Sequence, residues 1–274
     1  MNYIKYIKSR DGTKLYTKVM DVKEPKANII FVHGLAEHLE RYDKIANFFH
    51  ENNFNVIRYD QRGHARSEGK QTFYNHYEEI IEDLDAIVNF TKSNYEGKVY
   101  VVGHSMGGYT VALYGSKHPN NVDGYITSGA LTRMHLDLFG EIDDDIPAET
   151  YVNNELSDGV CSDPEVIKKY TYDDLVSKQI SIGLIRTLIT GIDYLKNNPN
   201  SFVDPILIMH GKLDGLVSVE DSFSFYKEIA SENKSLRIYE NLEHEILNES
   251  SYNEVIFVDM LNWIMNELER DPEV

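Results

Sequence analysis

Val99-Tyr100-Val101-Val102-Gly103-His104-Ser105-Met106-Gly107-Gly108 is the stretch on which the organisation of this chain turns. Four β-prone residues run into Gly-x-Ser-x-Gly and a helical run follows over 106–117, so the motif sits at a strand-to-helix turn. The five-residue pattern alone arises by chance in about one chain in ten of this length, given ordinary glycine and serine frequencies. Its flanks are what make the match specific. Gly103 and Gly107 remove side chains where strand and helix cross closely, which lets Ser105 take a strained backbone and point its hydroxyl outward. A serine hydroxyl is a poor nucleophile by itself. It needs a base, a group that orients the base, and N–H donors for a developing oxyanion.

On both sides of this stretch, short apolar strands alternate with amphipathic helices. Residues 3–8 and 15–20 alternate apolar and polar side chains around Asp11-Gly12, which predicts an antiparallel hairpin. Residues 27–32 form a nearly all-apolar strand ending in His33-Gly34. A helix over 41–52 with Ile45, Phe48 and Phe49 on one face leads to a strand over 56–59 and then Asp60-Gln61-Arg62-Gly63-His64. Residues 77–93 carry Ile80, Ile81, Leu84, Ile87, Val88 and Thr91 at helical spacing. A strand over 125–128 follows the Ser105 helix, and from 130 to 202 the alternation stops. It resumes with strands over 206–209 and 236–239 and helices over 219–231 and 253–268. The pattern predicts an α/β fold with a mainly parallel central sheet. The break predicts an insertion over 130–202 within a core of residues 1–129 and 203–274, and that insertion reads as mostly helical.

Composition narrows the function classes. With 27 basic and 45 acidic residues, the chain of 274 carries a formal charge of −18, which repels nucleic acid and anionic bilayers. The single cysteine, Cys161, excludes an intrachain disulfide and a multi-cysteine metal site. No apolar run reaches membrane-spanning length, and the charged first 13 residues lack a signal-peptide pattern, so a cytoplasmic location is expected.

Strand ends on the carboxyl side are where an open α/β sheet presents ligands. Asp214 lies just beyond the 206–209 strand and His244 just beyond the 236–239 strand, giving the chain order Ser105, Asp214, His244 of an α/β-hydrolase triad. In that scheme His244 takes the proton from Ser105 while Asp214 fixes the imidazole tautomer. Backbone N–H groups of Leu35 and Met106 are the expected oxyanion donors. His33 and His38 are expected to organise their loop by hydrogen bonding, and Asp60, Arg62 and His64 to brace the loops as a polar network. The chemistry so assembled calls on no metal and no cofactor.

Taken together, four segments resemble the monoacylglycerol lipase and lysophospholipase family of serine α/β-hydrolases. They are His33-Gly34-Leu35-Ala36-Glu37-His38, Asp60-Gln61-Arg62-Gly63-His64-Ala65-Arg66-Ser67-Glu68-Gly69, Gly103-His104-Ser105-Met106-Gly107-Gly108 and His244-Glu245-Ile246-Leu247-Asn248-Glu249. The resemblance covers nearly the whole chain. It implies the α/β-hydrolase fold, a cap over the site formed by residues 130–202, and hydrolysis of single-acyl lipids or small esters. Ala65 departs from the family pattern, where glycine is usual, and Asp174 stands where proline is common.

Within the insertion, Ile182, Ile185, Leu188, Ile189 and Ile192 recur at helical spacing. Two uses stay open for this stripe: packing of the cap onto the core, or lining of an acyl channel by Ile182, Ile185 and Leu188, with the cap touching a membrane or micelle. Asp143-Asp144-Asp145 reads as a solvated loop, since no calcium-loop spacing follows, and Cys161 has no base partner in sequence. The expected activity is hydrolysis of a monoacylglycerol or lysophospholipid ester through an acyl-enzyme. Open alternatives are an esterase of short-chain or hydroxycinnamate-type esters and a non-catalytic binding protein on the same fold.

Overall fold

A computed structural model describes residues 2–157 and 159–270. Strands β1 (Asn2–Lys8) and β2 (Lys14–Met20) form the expected hairpin, closed by Gly12 at φ +93°. Then come β3 (Asn28–Val32), helix α1 (Asp43–Glu51), β4 (Asn55–Tyr59), α2 (Tyr77–Asn94), β5 (Val99–His104), α3 (Met106–Lys117) and β6 (Gly124–Ser128). After the insertion the main fold continues with β9 (Ile206–Gly211), α6 (Val219–Glu228), β10 (Lys234–Tyr239) and α7 (Asn253–Glu269). The eight strands pair in the order β1-β2-β4-β3-β5-β6-β9-β10; β2 runs antiparallel to both its neighbours and every other pairing is parallel. This is the mainly parallel α/β sheet that the strand and helix alternation predicts, in the α/β-hydrolase arrangement that the resemblance implies.

The period of two along each strand divides the core. Ile30, Val32, Val99, Val101, Ile206 and Ile208 face a layer that holds α2, α3 and Phe225 of α6. Their neighbours Ile29, Phe31, Tyr100, Val102, Leu207 and Met209 face α1 and α7 on the opposite side. Both faces are buried, which is why these strands read as continuous apolar runs. β3 lies between β4 and β5, so the strand order reverses beside it, and the loops after β3 and β5 splay apart at their carboxyl ends. That crevice is where a parallel sheet offers a ligand site.

The insertion holds the expected helices and adds one short strand pair. Besides α4 (Pro164–Tyr172) and α5 (Ile182–Asn197), it holds a separate antiparallel pair, β7 (Tyr151–Asn153) with β8 (Gln179–Ser181). Three-residue strands are too short to show a period of two. α5 packs on α2 and α3 and shares their apolar layer. The chain leaves β6 through a turn wrapped on one carboxylate: Asp221, fully buried on α6, accepts the N–H groups of Thr132, Arg133, Met134 and His135 at 2.7–3.0 Å. Four such charge-assisted bonds fix the exit direction. α6 ends three residues before the expected 231, because Ile229 turns extended and the Ser231 hydroxyl donates to the Asp204 carbonyl. Ala65 sits at φ +42°, a left-handed conformation that glycine adopts without strain.

A methyl group on Gly107 would stand 2.1 Å from the Val32 carbonyl oxygen, a backbone atom that cannot swing aside. Gly107→Ala should therefore cost at least about 1–3 kcal/mol by overpacking. Gly215→Ala, whose added carbon meets open space, should change stability by less than about 0.5 kcal/mol. Urea unfolding of both variants followed by circular dichroism checks the contrast, and equal midpoints would contradict it.

Candidate active site

Ser105 occupies the turn between β5 and α3 at φ 54°, ψ −117°. The conformation is held from both sides: its N–H donates to the Ser128 carbonyl at 2.9 Å and its carbonyl accepts the Tyr109 N–H at 2.9 Å. An added carbon on Gly103 would lie 2.2 Å from the Gly107 carbonyl oxygen, and one on Gly34 would lie 3.3 Å from the Ser105 Cβ. Met106 is the first residue of α3, so its N–H is among those that no helix carbonyl accepts. The positive end of the helix dipole adds to its pull on an anion. Leu35 follows Gly34 in the loop after β3, beside Ser105.

Asp214 and His244 meet behind the serine. His244 Nδ1 donates to Asp214 Oδ2 at 2.6 Å, and both side chains are buried. The other carboxylate oxygen, Oδ1, accepts the N–H groups of Leu216 and Val217 at 2.9 and 2.8 Å. Burial works to raise the Asp214 carboxyl, but His244 and the hydrogen bonds from His210 and His244 hold it well below the usual carboxylate range. Burial likewise pushes the His244 imidazole down, and the Asp214 carboxylate more than reverses this, leaving it above its ordinary value. Gly129, at φ +54°, makes room: a carbon there would lie 3.1 Å from His244 Nδ1. Ser105 and His244 line one cavity with no hydrogen bond between them, a spacing common before substrate tightens a site.

The loops around this cluster behave as polar scaffolding. His33 Nδ1 donates to the Gly34 carbonyl at 2.8 Å, and its Nε2 accepts the Gln61 N–H at 2.9 Å. His38 pairs with Asp173 of the insertion at 2.8 Å. Asp60 accepts the N–H groups of Leu39 and Arg66, and Arg62 joins Asp11, Glu79 and Asp83. His104, whose ring centre is 4.6 Å from that of His244, is pushed down to about 3 by burial and by the His244 charge, so it stays neutral.

Two partners escaped the sequence. His210 Nε2 donates to the same Asp214 oxygen at 2.9 Å, while its Nδ1 is 2.7 Å from the Ser222 hydroxyl. Its position four residues before Asp214, at a strand end, was the available signal. The cavity wall was equally hidden: Leu131, Leu138, Leu156, Leu216 and Val217 join Leu35, Met106 and Leu188 around Ser105 and His244. Of the three insertion residues expected at an acyl channel, Leu188 is in this wall. Ile182 and Ile185 are buried in the layer with α2 and α3 instead and do not line the cavity. The cavity holds only about 20 Å³, roughly one water. Among the described residues no group of three or more His, Cys, Asp or Glu side chains is arranged to hold a metal ion.

Residues 23–251 match the family model described as serine aminopeptidase, S33. A monoacylglycerol lipase of Mycolicibacterium smegmatis is 30% identical over 257 residues, which cover 89% of this chain and 90% of that protein. Phospholipase YtpA of Bacillus subtilis is 27% identical, over 84% of this chain and 92% of its own length. The crystal structure of Paleococcus ferrophilus monoacylglycerol lipase superposes with a TM-score of 0.80 at 23% identity, covering 92% of this chain and 99% of that one.

The electrostatics of the Asp214–His244 pair make a prediction that needs no substrate. In Asp214→Asn, burial acts on His244 without the opposing carboxylate, so its pKa should fall below the wild-type value. A raised imidazole pKa favours the folded state below the unfolded value of 6.5, and that contribution disappears as pH rises through the folded pKa. The stability gap between wild type and Asp214→Asn should therefore be wider in mild acid than in alkali. NMR titration of the His244 ring and urea unfolding at the two pH values check both statements. An unmoved imidazole pKa would refute the first.

Proposed function

The chain belongs to the monoacylglycerol lipase and lysophospholipase-like family of α/β-hydrolases, and we propose that it hydrolyses the ester of a single-acyl lipid through an acyl-enzyme on Ser105. Ser105 Oγ attacks the ester carbonyl as His244 takes its proton, the Leu35 and Met106 N–H groups hold the oxyanion, and His244 returns the proton to the leaving alcohol. Water activated by the same imidazole then releases the fatty acid. Asp214 keeps His244 in the tautomer whose Nε2 faces the serine and stabilises the imidazolium.

The observation that carries the substrate class is the wall. Six leucines, one methionine and one valine surround Ser105 and His244, and among the described residues no charged or aromatic side chain joins them. Burying an alkyl chain there gains about 0.8 kcal/mol per methylene, whereas a phosphate group would lose its hydration against a surface with no cation to receive it. A neutral acyl glycerol therefore fits better than a lysophospholipid. One observation favours the other reading, hydrolysis of short-chain or hydroxycinnamate-type esters: the cavity, at about 20 Å³, lies far below the 300 Å³ or more usual for a bound ligand of drug size. A longer chain has to push the wall apart. Its binding depends on residues 136–147 yielding, and a micelle or membrane surface is where such a chain would be presented.

Ser105→Ala should lower turnover on the order of 10⁴-fold or more while leaving the unfolding midpoint within a few degrees. Unchanged turnover would sink the assignment of the nucleophile. On a panel of a medium-chain monoacylglycerol, a lysophosphatidylcholine, an acetate ester and a hydroxycinnamate ester, kcat/KM should favour the first by at least about tenfold. Preference for the acetate or hydroxycinnamate ester would replace the lipid reading with the small-ester one.

A further inference from the structure

Close behind His244 lies a set of buried charges that the reaction described above does not use. Arg41, at the end of the short 3-10 turn 39–42 before α1, has a side chain only 6% exposed. Its Nη2 donates to Glu245 Oε1 at 2.7 Å and reaches Oε2 as well, and its Nε stands 3.8 Å from Glu37 Oε1. Both carboxylates are as deeply buried as the guanidinium. Each is also bonded to a loop of the candidate site. Glu37 Oε2 accepts the Gly34 N–H at 3.1 Å and the Tyr42 hydroxyl at 2.9 Å, so it grips the residue just before the Leu35 donor. Glu245 follows His244 directly; its Oε2 accepts the Asn248 side-chain amide at 2.8 Å, and its own N–H donates to the Val160 carbonyl at 2.6 Å.

We propose that Glu37, Arg41 and Glu245 are positioning residues for the reaction: an ionic strut that holds the oxyanion loop after β3 in register with the His244 loop after β10. The inference rests on the triad reading. Among the described residues Arg41 is the one with ionic contacts to both loops, a hydrogen-bonded pair with Glu245 across 204 positions of sequence and a 3.8 Å approach to Glu37. Stability alone is a poor account of the arrangement, since two buried acids on one buried base gain little over apolar packing of the same volume. Register is a better account. An error of about 1 Å between reacting groups costs on the order of 10²-fold in rate, and the two loops supply an oxyanion donor and the general base from opposite sides of Ser105.

Electrostatics point the same way. The charged or titratable groups facing His244 are Asp214 from the loop after β9, His104 from the end of β5, Glu37 from the loop after β3 and Glu245 beside it. The carboxylates of Glu37 and Glu245 add to that of Asp214 in favouring the protonated imidazole, the form that exists while the serine proton is in transit. Arg41 keeps those two acids from repelling each other out of place. Its guanidinium also lies over the Tyr170 ring at 5.0 Å, so the insertion closes the strut from outside.

The test uses the full chain with Arg41→Met, Arg41→Lys and Glu37→Gln, assayed on a p-nitrophenyl ester. Rates are divided by the concentration of Ser105 that a fluorophosphonate titrates, so unfolded protein does not count. Arg41→Met should lose about 100-fold in kcat per titrated site, with KM within about threefold of wild type. Arg41→Lys should recover part of the loss, because an ammonium keeps the charge without the planar fork that spans two carboxylates. Glu37→Gln, which preserves the shape and the bonds to Gly34 and Tyr42, should lose about tenfold in kcat and carries the test if Arg41→Met fails to fold. A kcat per titrated site within twofold of wild type, or a loss found wholly in KM, overturns the strut. A wild-type chain that turns over no ester and takes up no fluorophosphonate overturns the triad reading, and the strut with it.

Discussion

The closeness of α3 to the sheet is the constraint that the carboxyl edge of this molecule depends on. Gly103 and Gly107 meet backbone to backbone, and Gly107 also abuts the end of β3, at spacings where one methyl group would collide with a carbonyl. Only with that approach can the chain reverse from strand to helix in one residue, and the residue that absorbs the reversal is Ser105 at a positive φ. Such a backbone costs about 1–3 kcal/mol and persists because its surroundings over-determine it. Here those surroundings are the bonds to Ser128 and Tyr109 and two flanking strands with both faces buried. The same crossing aims the Met106 N–H and the dipole of α3 at the space beside the hydroxyl.

Around that fixed point the charges are arranged in rings. Asp214 is gripped by two backbone N–H groups and two imidazoles, so its negative charge is already solvated by protein before any reaction begins. His210 is the outer imidazole and is itself held by Ser222. One carboxylate oxygen thus has two imidazole partners, which leaves Asp214 little freedom to rotate away from His244. His104 packs against His244 without competing for the proton, since burial and the neighbouring charge keep it neutral. Preorganisation of this kind costs nothing at the moment of proton transfer, because the dipoles are aligned when the protein folds.

How much of this could be read from the sequence followed the range of the interactions. Local patterns were legible. The 106–117 helix, the hairpin at Gly12 and the α2 stripe came out with nearly the observed bounds, because periodicity and turn chemistry are written within a dozen residues. The meeting of Ser105, Asp214 and His244 at one sheet edge was legible because each follows a strand that announces its own end. The β7–β8 pair was not, being shorter than any alternation that could reveal it. Nor could the sequence divide Ile182 and Ile185 from Leu188. α5 is buried on most of its circumference, so helical spacing cannot say which apolar residue meets the core and which meets the cavity. Arg41 and Glu245 mark the limit of sequence reading: Glu245 stands in the His244–Glu249 segment and Arg41 in no motif, and only the folded sheet brings their loops together.

The same bonds restrict how the cavity can admit a chain. Leu188 belongs to a helix packed on α2 and α3, and Leu216 to the loop clamped by Asp214, so those walls are fixed by the core and by the charge cluster. In the second half of the insertion, Ser177 donates its N–H to the Ala36 carbonyl at 2.8 Å and Asp173 pairs with His38. Moving that half would pull on Ala36, the residue after Leu35, and shift the loop that carries the proposed oxyanion donor. Leu138 lies in the first half, between the Asp221-clamped turn and the β7–β8 pair, where no described residue between 136 and 147 is buried, whereas Leu156 is tied to the second half through that pair and through the Asn154 amide, which donates to the Ser177 carbonyl at 2.8 Å. Leu138, Phe139, Ile142 and Ile146 pack on the core only partly buried, and a segment so held opens locally at smaller cost in free energy than a core element. Withdrawal of residues 136–147 would enlarge the cavity at Leu138 without pulling on Ser177 or Asp173, so the part of the wall free to yield is the one before the β7–β8 pair.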